Sequence, residues 1–238
     1  MNKLIPTLSL FSGAGGLDLG FIQAGFAIKG CVEIEDAYCA TLRANENRGL
    51  NVDGAPTIHC EDIRKFNAKQ YRSLGIRCVI GGPPCQTFSA AGRRSGGVIG
   101  IEDERGQLFR AYIHVIEELK PEVFVFENVY GLPGANGGKP WQAIVGAFNK
   151  LGYQLKAEVV DSADYGVPQH RERLIMVGHR KGEFVFPLPT HGPDSSGGEP
   201  LQSVEKAIAD LQNPKEPCHD NLGGMYGDLL PLNAPDFG

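Results

Sequence analysis

The sequence predicts an α/β fold: a doubly wound, mostly parallel sheet with one antiparallel strand late in the order. Three observations predict it. Short apolar runs alternate with amphipathic stretches, the pattern of strands joined by crossover helices. A glycine turn directly follows the first apolar run and opens a helix. Two late runs, 154–160 and 174–177, have no helical stretch between them, and so short a connection favours an antiparallel pair.

The elements follow in order. Residues 7–11 read as a strand and 17–24 as a helix; 28–34 is the next strand and 37–45 the next helix. Residues 56–60 suit a short strand. The run 78–80 ends a fourth strand at Gly81-Gly82-Pro83-Pro84, because prolines donate nothing to a ladder. Residues 107–119 form the clearest helix, with Leu108, Phe109, Tyr112, Ile113, Ile116 and Leu119 on one face at helical spacing. Lys120-Pro121 stops it. The continuous apolar run 123–126 reads as a strand buried on both faces. A helix over 141–151 ends at Gly152, and the two late strands follow. Residues 1–190 form the main domain by this reading. Residues 191–238 form a loop-rich segment, with one further helix at 203–211 and irregular structure or disorder from 213.

Composition narrows the function classes. Of 238 residues 42% are hydrophobic, enough for a large core, and the net charge of −5 weighs mildly against nucleic-acid binding. No apolar stretch is long enough to span a membrane and the N-terminal run is too short for a signal peptide, so a cytoplasmic location is expected. Cys31, Cys39, Cys60, Cys78, Cys85 and Cys218 form no C-x-x-C pair, which weakens zinc and redox readings and leaves no metal expected. Each is by default a small buried hydrophobe; Cys85 is the exception argued below.

Phe11-Ser12-Gly13-Ala14-Gly15-Gly16 allows a tight turn and close backbone approach to a ligand. The dinucleotide fingerprint would need glycine at position 18, which is Asp18. Glu33, at the end of the second strand, suits ribose hydroxyls. Asp62, after the third, suits an adenine amino group, and Phe11 an adenine face. These point to an adenosine-bearing ligand without phosphates, which S-adenosylmethionine satisfies. A structural glycine turn with two surface acids is the alternative.

Gly82-Pro83-Pro84-Cys85-Gln86-Thr87-Phe88-Ser89 follows the fourth strand. The prolines stiffen the approach to Cys85, and a cysteine at the ligand crevice is a candidate nucleophile. Its thiolate would gain from nearby cations, for which Arg171 and Arg173 are candidates. Glu127 after the fifth apolar run is costly if buried unpaired, and it suits a general acid or a donor to a base ring nitrogen. Glu127-Asn128 alone is also consistent with a strand-end turn.

These segments together resemble the cytosine-C5 methyltransferase family. The matching motifs are Phe11–Gly16, Pro84-Cys85-Gln86, Glu127-Asn128-Val129 and Gln169-His170-Arg171-Glu172-Arg173. Glu33, Asp62 and the stretch Asp103-Glu104-Arg105-Gly106-Gln107-Leu108-Phe109 also match, over roughly residues 7–190. The resemblance implies that Cys85 attacks C6 of a cytosine, that Glu127 binds the N3 and amino edge, and that the methyl group of S-adenosylmethionine passes to C5. Arg171 and Arg173 would join the catalytic set. Phe11, Ser12, Gly13, Gly15, Gly16, Glu33, Ile34, Asp62, Ile63 and Pro84 would hold the cofactor. Gln86, Ser89, Arg93, Arg94 and Asn128 would meet the substrate, double-stranded DNA with a flipped cytosine. Residues 92–103 would form a mobile loop closing over that base, or else a solvated basic loop.

The family continues into a target-recognition region, a supporting motif and a last segment beside the N-terminal strand, none of which is found in these 238 residues. A truncated gene, or a second polypeptide supplying the remainder, is therefore expected. The alternatives are a catalytically incomplete cofactor-binding fragment or half of a split enzyme, and a tRNA-acting member of the family. The stretch after Cys85 looks more like the DNA-acting branch. A nicotinamide-dependent oxidoreductase is disfavoured by Asp18.

Overall fold

The computed structural model describes residues 4–45, 54–84, 104–193 and 195–209. The chain enters through β1 (Ile5–Leu10), crosses by α1 (Gly16–Gln23) to β2 (Phe26–Glu33), and continues through α2 (Asp36–Asn45) to β3 (Thr57–Cys60). It then returns to the other side of β1. There β4 (Cys78–Gly81), α3 (Glu104–Leu119), β5 (Val123–Val129), α4 (Lys139–Lys150), β6 (Gln154–Asp161) and β7 (Glu172–His179) follow. A single turn of helix, α5 (Val204–Ala207), comes last among the described elements.

The seven strands make one sheet in the order β3-β2-β1-β4-β5-β7-β6. Every neighbouring pair is parallel except those made by β7, which runs antiparallel to both β5 and β6. The late antiparallel strand expected from the short connection is thus present. The direction of chain progress reverses between β1 and β4, and the loops leaving these two strands diverge there. Such a switch point opens a crevice at the carboxyl ends of the strands.

One sheet face carries an aromatic core. Phe124 and Phe126 of β5 meet Tyr112 of α3 and Phe148 of α4, and the Phe124 and Phe148 ring centroids lie 4.3 Å apart. Each such buried ring stabilises by about 1.5–3 kcal/mol. The Tyr112 hydroxyl donates to the Val125 carbonyl at 2.9 Å, so burial leaves no unmet donor there. The opposite face is filled by Ile28, Cys31, Cys78 and Ile80 under α1 and α2. Farther along that face an apolar groove of about 520 Å³ runs between Leu17, Phe21 and Phe26 on one side and Phe184, Phe186 and Pro187 on the other, over Val125, Ile175 and Val177.

Two expectations differ from the structure. The run 123–126 is not buried on both faces: Phe124 and Phe126 are buried while Val123 and Val125 are half-exposed, because their side of β5 looks into the groove. Glu127-Asn128-Val129 ends the strand, as expected, with β7 pairing as far as Val129 opposite Arg173. Glu127 and Asn128 therefore lie within the strand. Of the helix expected at 203–211 the described residues, which end at 209, form a turn of α-helix at Val204–Ala207, with the Ser203 hydroxyl accepting from the Lys206 amide at 3.2 Å. Among the described residues, the 3-10 segments Ala68–Leu74, Leu132–Gly138 and Ser162–Tyr165 escaped the periodicity, being too short to show one.

Candidate functional site

The candidate residues gather along one edge because the topology puts them there. Parallel pairing aligns the carboxyl ends of β1 to β5. Since β7 is antiparallel to both of its neighbours, β6 runs parallel to β5 and ends on the same edge. The start of β7 returns to that edge, and with it Arg171 and Arg173.

The glycine turn after β1 is shaped by backbone and carboxylates. Gly15 caps α1 at φ +88°, and a Cβ there would meet Leu42 Cδ2 at 2.9 Å. Phe11 takes a left-handed backbone at φ 53°, which costs a bulky residue on the order of 1–3 kcal/mol. Its ring packs on the core beside the turn. Glu33 Oε2 accepts from the Gly13 amide at 2.7 Å, and its Oε1 accepts from the Ile34 and Glu35 amides at 2.8 and 3.0 Å. A carboxylate offers about four acceptor positions, so one on Oε2 is left for a hydroxyl of a ligand. Ile34 beside it is 59% exposed, a free apolar surface at the rim, whereas Ile63 is buried. Ser12 turns inward, its hydroxyl donating to Ser9 Oγ at 2.9 Å. These features fit an adenosine-bearing ligand: an acceptor, an apolar rim and closely approachable backbone.

Asp62 follows β3, as expected, and is already engaged by a neighbour. Both of its oxygens accept from the Arg64 guanidinium, and Oδ1 also takes the Arg64 amide at 2.9 Å. The guanidinium beside it holds this carboxyl below its ordinary value. An adenine amino group at Asp62 would have to share it with Arg64.

Past the switch point the geometry is set by contacts between strands. Glu127 Oε1 lies 3.0 Å from Arg173 Nε, with both side chains about three-quarters buried, at 28% and 27% exposure. The acid expected to be costly if unpaired is paired. Arg173 Nη1 also donates to the Glu172 carbonyl at 2.7 Å, fixing the guanidinium from a second side. Glu127 presses on the segment leaving β4, where a Cβ on Gly82 would stand 2.6 Å from Glu127 Oε2. A side chain at position 82 would push the Glu127 carboxylate aside. The Asn128 amide donates to the Pro83 carbonyl at 3.1 Å, and its oxygen accepts from the Val129 amide at 2.9 Å. Pro84 is exposed at the end of this described segment. Cys85, Gln86, Ser89, Arg93, Arg94 and the expected loop 92–103 lie outside the described residues, as does Cys218. Cys31, Cys39 and Cys78 are buried as small hydrophobes.

Sequence reasoning missed two residues at this edge. Asp18 served only to exclude a dinucleotide; it lies buried beneath the glycine turn, accepting from the Ser9 hydroxyl and, at 3.5 Å, the Cys31 thiol. Asp161 ends β6 and binds the residues that precede β7, with Oδ1 accepting from the Arg171 amide at 2.7 Å. A carboxylate directly before the Ser-Ala-Asp-Tyr turn was the available signal, as a cap.

Known proteins place this geometry in a family. The family model for C-5 cytosine-specific DNA methylases matches residues 5–231. The chain is 39% identical to the Type II methyltransferase M.AquIA of a Picosynechococcus strain over 86% of this chain and 88% of that one. It is 40% identical to the Type II methyltransferase M1.HphI of Haemophilus parahaemolyticus over 85% of this chain and 53% of that one. It covers 46% of M.XorII of Xanthomonas oryzae, so it spans about half the length of several relatives that it matches. Among solved structures, one described as a candidate DNA modification methyltransferase of an E. coli prophage superposes with a TM-score of 0.65 at 28% identity, covering 86% of this chain and 54% of that one. The Dnmt2 methyltransferase of S. pombe shares the fold, at 20% identity and a TM-score of 0.53. With the family model matching residues 5–231, nearly the whole chain, this chain belongs to the C-5 cytosine-specific DNA methylases.

Proposed function

We propose that this protein transfers a methyl group from S-adenosylmethionine to C5 of a flipped cytosine in double-stranded DNA, through a covalent bond between Cys85 and C6. The observation that carries this reading is the Glu127–Arg173 pair at 3.0 Å, set against Gly82 three residues before Cys85. Glu127 accepts from the amino group of the base and, carrying a proton, donates to N3, while Arg173 fixes its carboxyl group. The Cys85 thiolate attacks C6, and the displaced electron pair makes C5 nucleophilic. The bound cofactor supplies an electrophilic methyl group. Loss of the C5 proton then restores the C5–C6 double bond and expels the thiolate. Glu33, Ile34 and the backbone of the glycine turn hold the cofactor in this reading, with Asp62 and Ile63 completing its adenine end. Arg171, Gln86, Ser89, Arg93 and Arg94 meet the DNA, whereas Asn128, expected to do so, is buried and holds the Pro83 carbonyl instead. Residues 1–190 are the catalytic domain and 191–238 begin the recognition region.

The test is adduct formation with a duplex bearing 5-fluorocytosine, in the presence of cofactor. A denaturant-resistant complex is expected with the native chain and none with Cys85→Ala. Cofactor binding with no adduct, from the chain alone or mixed with a polypeptide carrying target recognition, would instead make this a cofactor-binding fragment. Competition by tRNA but not by DNA would move the substrate to tRNA.

A second polypeptide carrying target recognition is part of this reading. One observation supports it: the groove over Val125, Ile175 and Val177 is lined almost entirely by apolar side chains. An apolar segment of the partner would fill that groove. Phe186→Glu is expected to abolish adduct formation by a mixture of the two chains while leaving cofactor binding unchanged. A cytoplasmic location goes with this substrate, and no described helix is long and apolar enough to cross a membrane.

A further inference from the structure

His170 sits beside the proposed catalytic pair but takes no part in it. Its Nδ1 lies 2.8 Å from Asp161 Oδ2, while the imidazole is 75% exposed. The other oxygen of Asp161 accepts from the Arg171 amide at 2.7 Å and the Ala163 amide at 3.1 Å. The Arg171 carbonyl accepts from the Ser162 amide at 3.2 Å and the Ser162 hydroxyl at 3.3 Å. The segment between β6 and β7 is thus clamped from both ends, three residues before Arg173. His170 and Arg171 stand side by side at the crevice edge, both exposed, in a chain of net charge −5.

We propose that His170 contacts a phosphate of the nucleic-acid backbone, with Asp161 as its positioning residue. The inference deepens the reading above and rests on its nucleic-acid substrate. The chemistry follows from the committed nitrogen. With Nδ1–H given to Asp161, only Nε2 can meet a ligand. In the cation Nε2–H donates, as a phosphate oxygen requires. In the neutral ring Nε2 carries a lone pair and repels that oxygen. The contact therefore switches on protonation rather than fading gradually.

The groups facing His170 favour the cation. Asp161 raises its pKa above the ordinary histidine value, first through the hydrogen bond and then through its charge; Asp164 and Glu172 add smaller contributions in the same direction. Arg171, next in the chain, is the cation nearest in sequence. Because the pKa is raised, the contact is complete below the ordinary histidine value and is lost as pH rises through the raised one.

The experiment measures binding of the full chain to a fluorescein-labelled duplex, by anisotropy, from about pH 6 to about pH 8.5. For the native chain Kd should rise about 3-fold over that range. The slope of log affinity against log salt should shrink by about one over the same range. His170→Gln should bind with the weaker affinity at every pH. His170→Lys should bind with the stronger affinity at every pH, which separates a phosphate contact from a structural role. Asp161→Asn should move the transition to lower pH. Arg171→Gln should weaken binding without altering its pH dependence. A native profile flat in pH, a His170→Gln profile like the native one, or no duplex binding by the native chain would each overturn the proposal. The adduct assay reads the catalytic reading separately. An adduct without the pH effect removes only His170, and the pH effect without an adduct removes only the catalysis.

Discussion

The two sides of the switch point are organised by different physics. On the side proposed for the cofactor, from β1 to β3, three carboxylates bind groups close by in the chain or on the next strand: Glu33 takes the Ile34 and Glu35 amides, Asp62 takes Arg64, and Asp18 takes Ser9. On the substrate side, from β4 to β7, the decisive contacts join distant elements. Glu127 meets Arg173, Gly82 yields to Glu127, and Asn128 holds Pro83. The first side is a preformed turn stabilised from within. The second is assembled only when β7 has returned antiparallel beside β5. Damage on the first side should appear as lost stability and cofactor affinity, and on the second as lost rate with the fold intact.

The largest effect expected is at Glu127. Glu127→Gln should lower methyl transfer about 10²–10⁴-fold, the range for a group that exchanges protons with the substrate, with the melting temperature nearly unchanged. Arg173→Ala should lose a similar factor, and the double variant little more than either single one. Fully additive losses in single-turnover assays would show that the two residues act separately, and the contrast between the two sides would fail at its centre.

Gly82→Ala comes next. Its Cβ would stand 2.6 Å from Glu127 Oε2, so the carboxylate must move. A displacement on the order of 1 Å can cost about 100-fold in rate. The loss should fall on kcat, with cofactor affinity retained. Native activity in this variant would mean that Glu127 need not stand where it does.

The same division explains what was legible. The glycine turn, the place of Glu33 at a strand end and the succession of strands and helices announced themselves because short-range spacing carries them: a turn that needs glycine, an acid ending the next strand, apolar runs of strand length. The antiparallel pair was readable from one short connection. Asp161 and the burial of Asp18 were not, because their roles depend on which groups arrive from other strands. Nor was the sharing of Asp62 with Arg64, since spacing shows a carboxylate and not its partner. The continuous apolar run of β5 misled for a related reason. Hydrophobicity alone cannot distinguish a face covered by helices from one left as a groove.

Glu33→Gln tests the cofactor side. The amide nitrogen it introduces faces either the Gly13 donor or the Ile34 and Glu35 donors, so at least one backbone N–H loses its acceptor. An unmet buried donor costs roughly 1–3 kcal/mol, readable as a lower melting temperature. Cofactor Kd should rise, while kcat at saturating cofactor stays close to native. A kcat loss as deep as that of Glu127→Gln would erase the distinction between the two sides.

The smallest effect is at Asp18 and concerns the sign of a pH dependence. Burial raises its pKa, and the hydrogen bonds from Ser9 and Cys31 offset this only in part. The folded state therefore favours the protonated acid. Stability from this group is greatest at low pH and declines as pH rises through the raised value, where a buried charge must be carried. Asp18→Asn keeps an acceptor for Ser9 and never ionises. It should match the native stability in acid and exceed it near neutral pH, read as a higher melting temperature there, with cofactor affinity unchanged. Equal destabilisation at every pH would mean that the ionised carboxylate is needed to receive both the hydroxyl and the thiol. The turn above it would then depend on a charge beneath it, and the cofactor side would be held together by electrostatics as strongly as the Glu127–Arg173 side.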